Sequence, residues 1–145
     1  MIIPRLDHRE AVSETAQNYV QALHTLGFEG DIHCDDATRA VLATDNSIYQ
    51  IYPQAVVFPK GHDDLIRIMR ASHDHDVTLY PRGGGTGTNA QSLGAGVVVD
   101  TSKHMNKILE VNVQERWARV QCGVVKDQLN ADIRQHGLFF APDLS

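Results

Sequence analysis

The chain has 145 residues, of which 42% are hydrophobic and 21% are charged, and its formal net charge at pH 7 is −5. This is the length of a single globular domain that can bury a core. The charge argues against a nucleic-acid-binding protein, because such proteins carry a basic surplus or stripe. No apolar run has the length of a transmembrane segment.

The cysteines and the first residues bear on the cellular compartment. Cys34 and Cys122 are far apart in sequence and match no metal-binding or redox spacing. Two such thiols are typical of a reduced, cytoplasmic protein. Residues 1–7 lack the apolar core of a signal peptide. We therefore expect a cytoplasmic protein.

The first half of the chain is predicted to alternate helices with one strand. Apolar residues at helical spacing predict a helix over residues 10–26, which Gly27 ends. Residues 31–46 are polar and mixed, and we expect a short helix between loops there. A short buried strand, Ala55–Phe58, precedes a helix from Asp63 to about His73. Acids in the first turn of that helix suit its dipole.

The second half is predicted to contain four strands and one helix. The elements are strands 77–80, 97–99, 108–113 and 117–121, and a helix over 125–136 that Gly137 ends. The strand–helix–strand order predicts an α/β layer, to which the later strands add an antiparallel part. The apolar run Leu138–Phe140 needs burial that no later element provides. We therefore expect an α+β fold, a small mixed sheet flanked by helices, truncated from a larger protein.

The most distinctive segment follows the strand 77–80 and runs Pro81-Arg82-Gly83-Gly84-Gly85-Thr86-Gly87-Thr88-Asn89. Glycine allows positive φ and close approach to a ligand, so that successive N–H groups can converge on one anion. The hydroxyls, the amide and the arginine add donors, and no acid in the loop opposes a phosphate. The segment therefore predicts a pyrophosphate-binding loop.

Two common phosphate-binding loops do not fit this segment. The P-loop of ATPases and GTPases needs a lysine after its last glycine, where this chain has Thr88 and Asn89. Residues 85–90 match the dinucleotide pattern G-x-G-x-x-[GA], and Asp100 ends the next strand. However, a Rossmann crossover needs at least about 10–12 residues with a helix, and residues 91–96 are too few. What remains is a glycine loop that joins two strands without a helix.

Residues 81–87 resemble the pyrophosphate loop of the FAD-binding PCMH-type family, which includes vanillyl-alcohol oxidase and p-cresol methylhydroxylase. Three further stretches, 44–59, 96–106 and 140–145, are similar to its branch of FAD-linked 2-hydroxy-acid dehydrogenases. That branch acts on D-lactate, glycolate or D-2-hydroxyglutarate. The similarity extends to long bacterial members with a C-terminal iron–sulfur region. It implies a helical lead-in over residues 1–45 and an incomplete FAD-binding domain over residues 46–145.

The resemblance also implies roles for individual residues. Backbone amides of the loop would hold the FAD diphosphate, the side chains of Thr88 and Asn89 would donate to it, and Pro81 and Arg82 would shape its entry. Arg82 contacts the flavin or forms a structural salt bridge, and both roles stay open. The implied cofactor-binding residues are Pro81, Arg82, Gly83, Gly84, Gly85, Thr86, Gly87, Thr88, Asn89, Pro142 and Asp143. Some members bind flavin covalently through a histidine at the position of Thr86, which threonine cannot do, so a non-covalent FAD is expected.

For the full-length protein, the resemblance implies hydride transfer from a small 2-hydroxy acid to FAD, whose redox chemistry belongs to the cofactor. Electrons would pass to iron–sulfur centres outside this chain, and any association with a membrane would be peripheral. Pro142 and Asp143 match a stretch that leads to a second flavin-contacting loop. That loop and the catalytic groups are expected beyond Ser145, so we expect the fragment to be inactive. The residues alone also allow a non-catalytic module that binds another anion or uses the loop as a structural turn.

Other candidate residues have less specific patterns. The runs 73–76 and 33–36 contain metal-ligand residue types, but one ends a predicted helix and the other lacks a second cluster, so no metal site is predicted. The remaining candidates are expected in structural positions: His104 at the surface, Asp100 capping the turn after its strand, and Trp117 in the core or at a lobe interface.

Overall fold

The computed structural model of the chain describes residues 11–142. The predictions for residues 1–7 and for Asp143 lie outside this range. The helices are α1 (Glu14–Thr25), α2 (Asp36–Leu42), α3 (His62–His75) and α4 (Lys126–Ile133), the last continued by a 3-10 turn, Arg134–His136. The strands are β1 (Asp31–His33), β2 (Ala55–Phe58), β3 (Leu79–Arg82), β4 (Val97–Asp100), β5 (Ile108–Asn112) and β6 (Trp117–Val120). None of the helices in residues 11–142 combines the length and apolarity needed to span a bilayer.

A four-stranded sheet in the order β1-β2-β4-β3 forms the centre of the fold. Strands β2, β4 and β3 are parallel, and β1 runs antiparallel to β2. The two central strands are buried along their whole length, because elements cover both faces of the sheet. Strands β5 and β6 form a separate antiparallel hairpin. The predicted α+β class, with a small mixed sheet and flanking helices, is confirmed.

Two strands differ from the prediction. Strand β1 was not predicted, because three residues are too short to show a strand periodicity, and its pairing with β2 stabilises it. Strand β3 begins at Leu79 instead of Val77. The Val77 N–H is already used to close α3, since it donates to the Ser72 carbonyl at 3.0 Å. Pro81 and Arg82 therefore belong to β3, and Pro81 is tolerated there because β3 is an edge strand.

The helix ends follow the predicted stop signals. The Ser13 side chain caps α1 by accepting a hydrogen bond from the Ala16 N–H at 3.2 Å. Gly27 and Gly137 follow their helices with φ of +75° and +67°, a conformation that glycine adopts without strain. Both predicted glycine stops are thus confirmed. The predicted lead-in boundary at residue 45 stays a prediction, and β1 pairs with β2 across it.

The larger hydrophobic core lies where α1 and α3 pack on the sheet. Tyr19 and Leu23 of α1 meet Ile68 and Ala71 of α3 above the central valines. A smaller cluster on the other face joins Leu42 to β2 and β4. The loop between β3 and β4 therefore starts from a sheet that carries hydrophobic clusters on both faces.

Tyr19 provides a test of this core. Its side chain is fully buried, and within residues 11–142 its hydroxyl has no hydrogen-bond partner. Burial raises the pKa of this hydroxyl above the ordinary value of tyrosine. An unsatisfied buried hydroxyl costs about 1–3 kcal/mol, so Tyr19→Phe should stabilise α1 against local opening by about 1 kcal/mol. Amide exchange of residues 14–25 in the full-length protein should become slower, and faster exchange would contradict the prediction.

Candidate functional site

The glycine-rich loop leaves the carboxyl end of β3. Residues 83–96 then lead to β4, the parallel neighbour of β3, and contain no helix. The predicted connection without a crossover helix is thus confirmed. At the same edge Arg82 lies opposite Asp100, the last residue of β4. In open α/β sheets, ligands bind outside the carboxyl ends of parallel strands. The loop therefore lies at the edge where a ligand is expected.

The loop offers a run of unused backbone donors. Among the hydrogen bonds within residues 11–142, none is donated by the backbone N–H of Gly83, Gly84, Gly85, Thr86 or Gly87. Gly83, Gly84 and Thr86 are also exposed. Successive free N–H groups in a glycine-rich turn form an anion-binding concavity. The segment thus fits a diphosphate by the chemistry of its donors.

Two different reasons explain why glycine occupies these positions of the loop. Gly85 has φ of +68°, and a Cβ there would collide with the Arg82 guanidinium. A Cβ at Gly87 would collide with the Gln91 side chain. At Gly83, by contrast, a Cβ would meet no atom within 4 Å, and at Gly84 it would meet only Thr86 Cγ2 at 3.7 Å. The fold does not require glycine at these two positions, which suits a close approach of a ligand to the backbone.

Arg82 lies beneath the loop and is bound by the chain's own groups. Its Nη1 donates to the Thr44 carbonyl at 2.7 Å, and its Nε lies 3.9 Å from Asp100 Oδ2. Only 11% of its side chain is exposed. The Arg82 carbonyl in turn accepts from the Thr101 N–H at 2.9 Å. Of the two roles that the sequence left open, this geometry is that of a structural salt bridge.

Sequence reasoning missed a second segment beside the loop, residues 44–50, which we call the 44–50 arm. Asn46 N–H donates to the Gly85 carbonyl at 3.1 Å, and Ser92 Oγ donates to Asp45 Oδ2 at 3.1 Å. Hydrogen bonds from Ser47 lower the pKa of Asp45; partial burial opposes them, while Ser92 and the charge of Arg82 add to the lowering. An ionised acid therefore lies beside the loop, and the chain's own donors occupy it.

The other predicted cofactor-binding residues occupy different positions. Thr88 and Asn89 are exposed on the loop, and the Asn89 N–H donates to Gln91 Oε1 at 3.1 Å. Pro81 is exposed on β3. Pro142 is exposed at the end of the described chain, and within residues 11–142 no hydrogen bond joins it to the loop. The structure thus brings residues 81–89 together, and the role of Pro142 stays a prediction.

The metal-ligand residue types have structural positions. His73 and His75 are in the last turn of α3, and Asp35 caps α2 by accepting from the Thr38 N–H at 2.9 Å. His33 Nδ1 lies 3.2 Å from the Asp35 carboxylate. Residues 11–142 contain no group of three His, Cys, Asp or Glu side chains arranged to hold a metal ion.

Three further expectations have mixed outcomes. Asp100 accepts from the Ser102 N–H at 2.8 Å, so its predicted capping role is confirmed. His104 is not simply a surface residue, because its Nε2 lies 2.7 Å from Asp31 Oδ2 and its side chain is only 26% exposed. Trp117 is outside the cores described above: it lies on the β5–β6 hairpin and is 38% exposed. The residue pattern of the strand could not predict the exposure of Trp117, because the burial of this side chain depends on what packs on the hairpin.

Comparison with known proteins supports the interpretation of the loop. A family model described as "FAD binding domain" matches residues 53–145. The chain is 59% identical over 138 residues to D-2-hydroxyglutarate dehydrogenase of Pseudomonas putida, which covers 93% of this chain and 14% of the relative. It is 46% identical over 147 residues to D-2-hydroxyglutarate dehydrogenase of Escherichia coli, covering 99% of this chain and 14% of the relative. The chain thus spans about 14% of the length of these relatives.

Solved structures share the fold at low sequence identity. Alkyldihydroxyacetonephosphate synthase superposes with a TM-score of 0.77 at 21% identity, over 90% of this chain and 26% of that chain. The p-cresol methylhydroxylase with substrate bound gives a TM-score of 0.73 at 18% identity, over 88% of this chain and 26% of that chain. Because the family model covers more than half of the residues, this chain belongs to the family of FAD binding domains.

Proposed function

We propose that this chain holds the diphosphate of FAD in a longer flavoprotein that oxidises a 2-hydroxy acid by hydride transfer to FAD. The observation that carries the proposal is the run of unused N–H donors at the carboxyl edge of the sheet. The substrate class comes from the relatives. Besides the D-2-hydroxyglutarate dehydrogenases, they include a glycolate oxidase subunit of Bacillus subtilis, 37% identical over 98 residues, and a D-lactate dehydrogenase of Kluyveromyces lactis, 33% identical over 95 residues.

In this proposal the residues of the chain bind and orient, and FAD supplies the redox chemistry. The backbone N–H groups of residues 83–87 donate to diphosphate oxygens, and the side chains of Thr88 and Asn89 add donors. Such charge-assisted hydrogen bonds are short and about twice as strong as neutral ones. They compensate for the net charge of −5, which provides no broad positive field for an anion. Thr86 cannot form the covalent link of a histidine, so FAD is bound non-covalently.

The parts that this chain does not contain are also proposals. Pro142 and Asp143 lead towards a second flavin-contacting loop, and an iron–sulfur region later in the full-length protein accepts the electrons. We place the full-length protein in the cytoplasm, because Cys34 and Cys122 are both free thiols. Any contact with a membrane would be peripheral.

The test is the colour and reactivity of the full-length protein. It should purify yellow, release free FAD on denaturation and keep no flavin attached to the polypeptide. D-2-hydroxyglutarate, D-lactate or glycolate, added without oxygen, should bleach the flavin absorption. A colourless protein that takes up no added FAD would leave the non-catalytic module as the interpretation. A yellow protein that none of the three acids bleaches would refute the substrate class alone.

Arg82 offers a test of how the loop is supported. Arg82→Gln removes the charge and the hydrogen bond to the Thr44 carbonyl, which connects β3 to the 44–50 arm. A hydrogen bond from a charged group contributes about 1.5–3 kcal/mol, so FAD binding should weaken roughly tenfold. Amide exchange of residues 44–50 should also become faster in the absence of FAD.

The same substitution at Arg70, exposed on α3, is the control and should change neither quantity. If Arg82 instead contacted the diphosphate directly, Arg82→Gln would reduce the salt dependence of FAD binding and leave the exchange of the 44–50 arm unchanged. That result would contradict the supporting role.

A further inference from the structure

We propose that the 44–50 arm is a second wall of the FAD site and that Tyr49 packs against one of the two ring systems of the cofactor. Tyr49 lies in the exposed turn that the Thr44–Gln50 bridge closes, and we call residues 46–49 of this turn the tip. This inference rests on the proposed function. The proposed site includes the 44–50 arm in addition to the loop. The arm lies outside the family model, whose match begins at residue 53. The arm is ordered, it is fixed to the loop, and its tip is apolar and uncovered.

The arm is a tight, hydrogen-bonded turn. Thr44 and Gln50 form an antiparallel bridge, and below them the Ile51 N–H donates to the Ala43 carbonyl at 2.9 Å. Inside the turn, Asp45 Oδ1 accepts from the Ser47 N–H at 2.8 Å. Ser47 Oγ accepts from the Tyr49 N–H at 3.2 Å. The arm can therefore hold its tip in a defined position.

The arm is also fixed to the glycine loop at three points. These are the Asn46 N–H on the Gly85 carbonyl at 3.1 Å, Ser92 Oγ on the Asp45 carboxylate at 3.1 Å, and Arg82 Nη1 on the Thr44 carbonyl at 2.7 Å. The contacts involve both the glycine-rich residues and the following part of the loop that leads to β4. The position of the arm is thus coupled to that of the proposed diphosphate-binding groups.

The tip carries apolar side chains that the chain leaves in solvent. Ile48 is 95% exposed and Tyr49 is 56% exposed, whereas turn tips are usually formed by glycine, proline and small polar residues. The acid of the arm, Asp45, is bound by Ser47 and Ser92. The tip therefore presents an uncharged surface, which suits a heteroaromatic ring better than another phosphate.

The reach of the chain from Asn46 to Tyr49 is compatible with the shape of FAD. Tyr49 is three positions after Asn46, and a chain spans at most about 3.6 Å per residue, so the Cα atoms of the two residues are at most about 11 Å apart. In FAD, each ring system is joined to the diphosphate by one sugar or sugar-alcohol unit. A phenol ring within that reach can stack on a planar ring, and such aromatic contacts are worth about 1–3 kcal/mol.

The test measures FAD affinity in the full-length protein. Tyr49→Ala should weaken FAD binding on the order of tenfold, and Tyr49→Phe, which keeps the ring, should bind almost as well as the parent. Ile66→Ala is the matched control, because Ile66 is 49% exposed on α3, away from the arm. It should leave the affinity unchanged.

A second ligand distinguishes the two rings. If FMN, which lacks the adenosine part, loses affinity equally and the visible absorption of the bound flavin shifts, Tyr49 packs on the isoalloxazine. If only FAD is affected, it packs on the adenine. Unchanged FAD affinity in Tyr49→Ala would overturn the inference, and a simultaneous change of oligomeric state would make the tip a protein interface. A parent protein that binds no FAD would instead refute the proposed function itself.

Discussion

Replacing Gly84 with alanine in the full-length protein should weaken FAD binding about a hundredfold while leaving the fold as stable as before. A Cβ at this position meets only Thr86 Cγ2, at the ordinary van der Waals distance of 3.7 Å. Gly84 is also not among the glycines with positive φ in the described chain. The added methyl group therefore costs the protein little by itself.

The loss of affinity comes from the proposed ligand. The methyl group would occupy the face on which diphosphate oxygens approach the backbone, and two neighbouring N–H···O bonds would lengthen. Hydrogen bonds to charged groups contribute about 1.5–3 kcal/mol each, so losing two corresponds to roughly a hundredfold or more in the dissociation constant. Fluorescence titration of the apoprotein with FAD measures this constant, and thermal unfolding without FAD measures the stability.

Substitutions at three other glycines provide comparisons for this experiment. Gly83→Ala should behave as Gly84→Ala does, because a Cβ there also has free space. Gly61→Ala has the same free space at the start of α3 and should leave the affinity unchanged, although the poorer N-cap should lower the stability by about 1 kcal/mol. Gly85→Ala should disturb the loop even without FAD, because of its positive φ and the Arg82 guanidinium. Normal FAD binding by Gly84→Ala would show that the diphosphate does not contact this face.

The parts of the fold that the sequence predicted are those with strong local signals. Strands β2 and β4 are continuous apolar runs at the centre of the sheet, and the glycine stops have the positive φ that their residue type suggests. The loop was recognised by its density of glycines, and the absence of a lysine and of room for a helix excluded the two common alternatives. Local composition was sufficient for these elements.

The support of the loop could not be predicted in this way. Arg82 and Thr44 are 38 positions apart, and Asp45 and Ser92 are 47 apart, so their contacts depend on the order of strands in the sheet. No local pattern shows that an arginine within a glycine-rich segment points beneath it. For the same reason the contact of His104 was not predicted, because its partner Asp31 lies on a strand that was itself not predicted. The substrate class was accessible only through resemblance.

Replacing Asp64 with alanine is expected to have the second large effect, which is a loss of stability of the fold. The sequence marked it only as an acid in the first turn of α3, but the structure buries it to 2% exposure. Its carboxylate accepts hydrogen bonds from the N–H groups of Glu29 and Lys60 and from Arg67 Nη1, each at 3.0 Å. It thereby joins the segment after α1 to the start of α3. Asp64→Ala would leave these three donors without their acceptor.

We expect Asp64→Ala to destabilise this region by about 3 kcal/mol, the cost of removing one partner from a buried, hydrogen-bonded ion pair. Asp63→Ala is the matched control, because Asp63 is an exposed acid in the same turn. It loses only the helix-dipole contribution of about 0.3–1 kcal/mol. Amide exchange of residues 58–67 in the full-length protein should accelerate strongly for Asp64→Ala and little for Asp63→Ala. Equal acceleration in both variants would show that Asp64 acts only through the helix dipole.

The pH dependence of the stability difference between the parent protein and Asp64→Ala gives an independent check. Burial raises the pKa of Asp64, but the hydrogen bonds from Glu29, Lys60 and Arg67 outweigh it, so that the pKa in the folded state lies below its ordinary value. The carboxylate therefore stabilises the fold fully above the pKa of the unfolded chain, about 3.9, and this contribution is lost as the pH falls through the lower, folded pKa. The difference in unfolding temperature between the parent and Asp64→Ala should be constant from about pH 5 to 7 and should shrink below about pH 4. A difference that stayed constant into strong acid would mean that packing of the side chain, and not its charge, stabilises the start of α3.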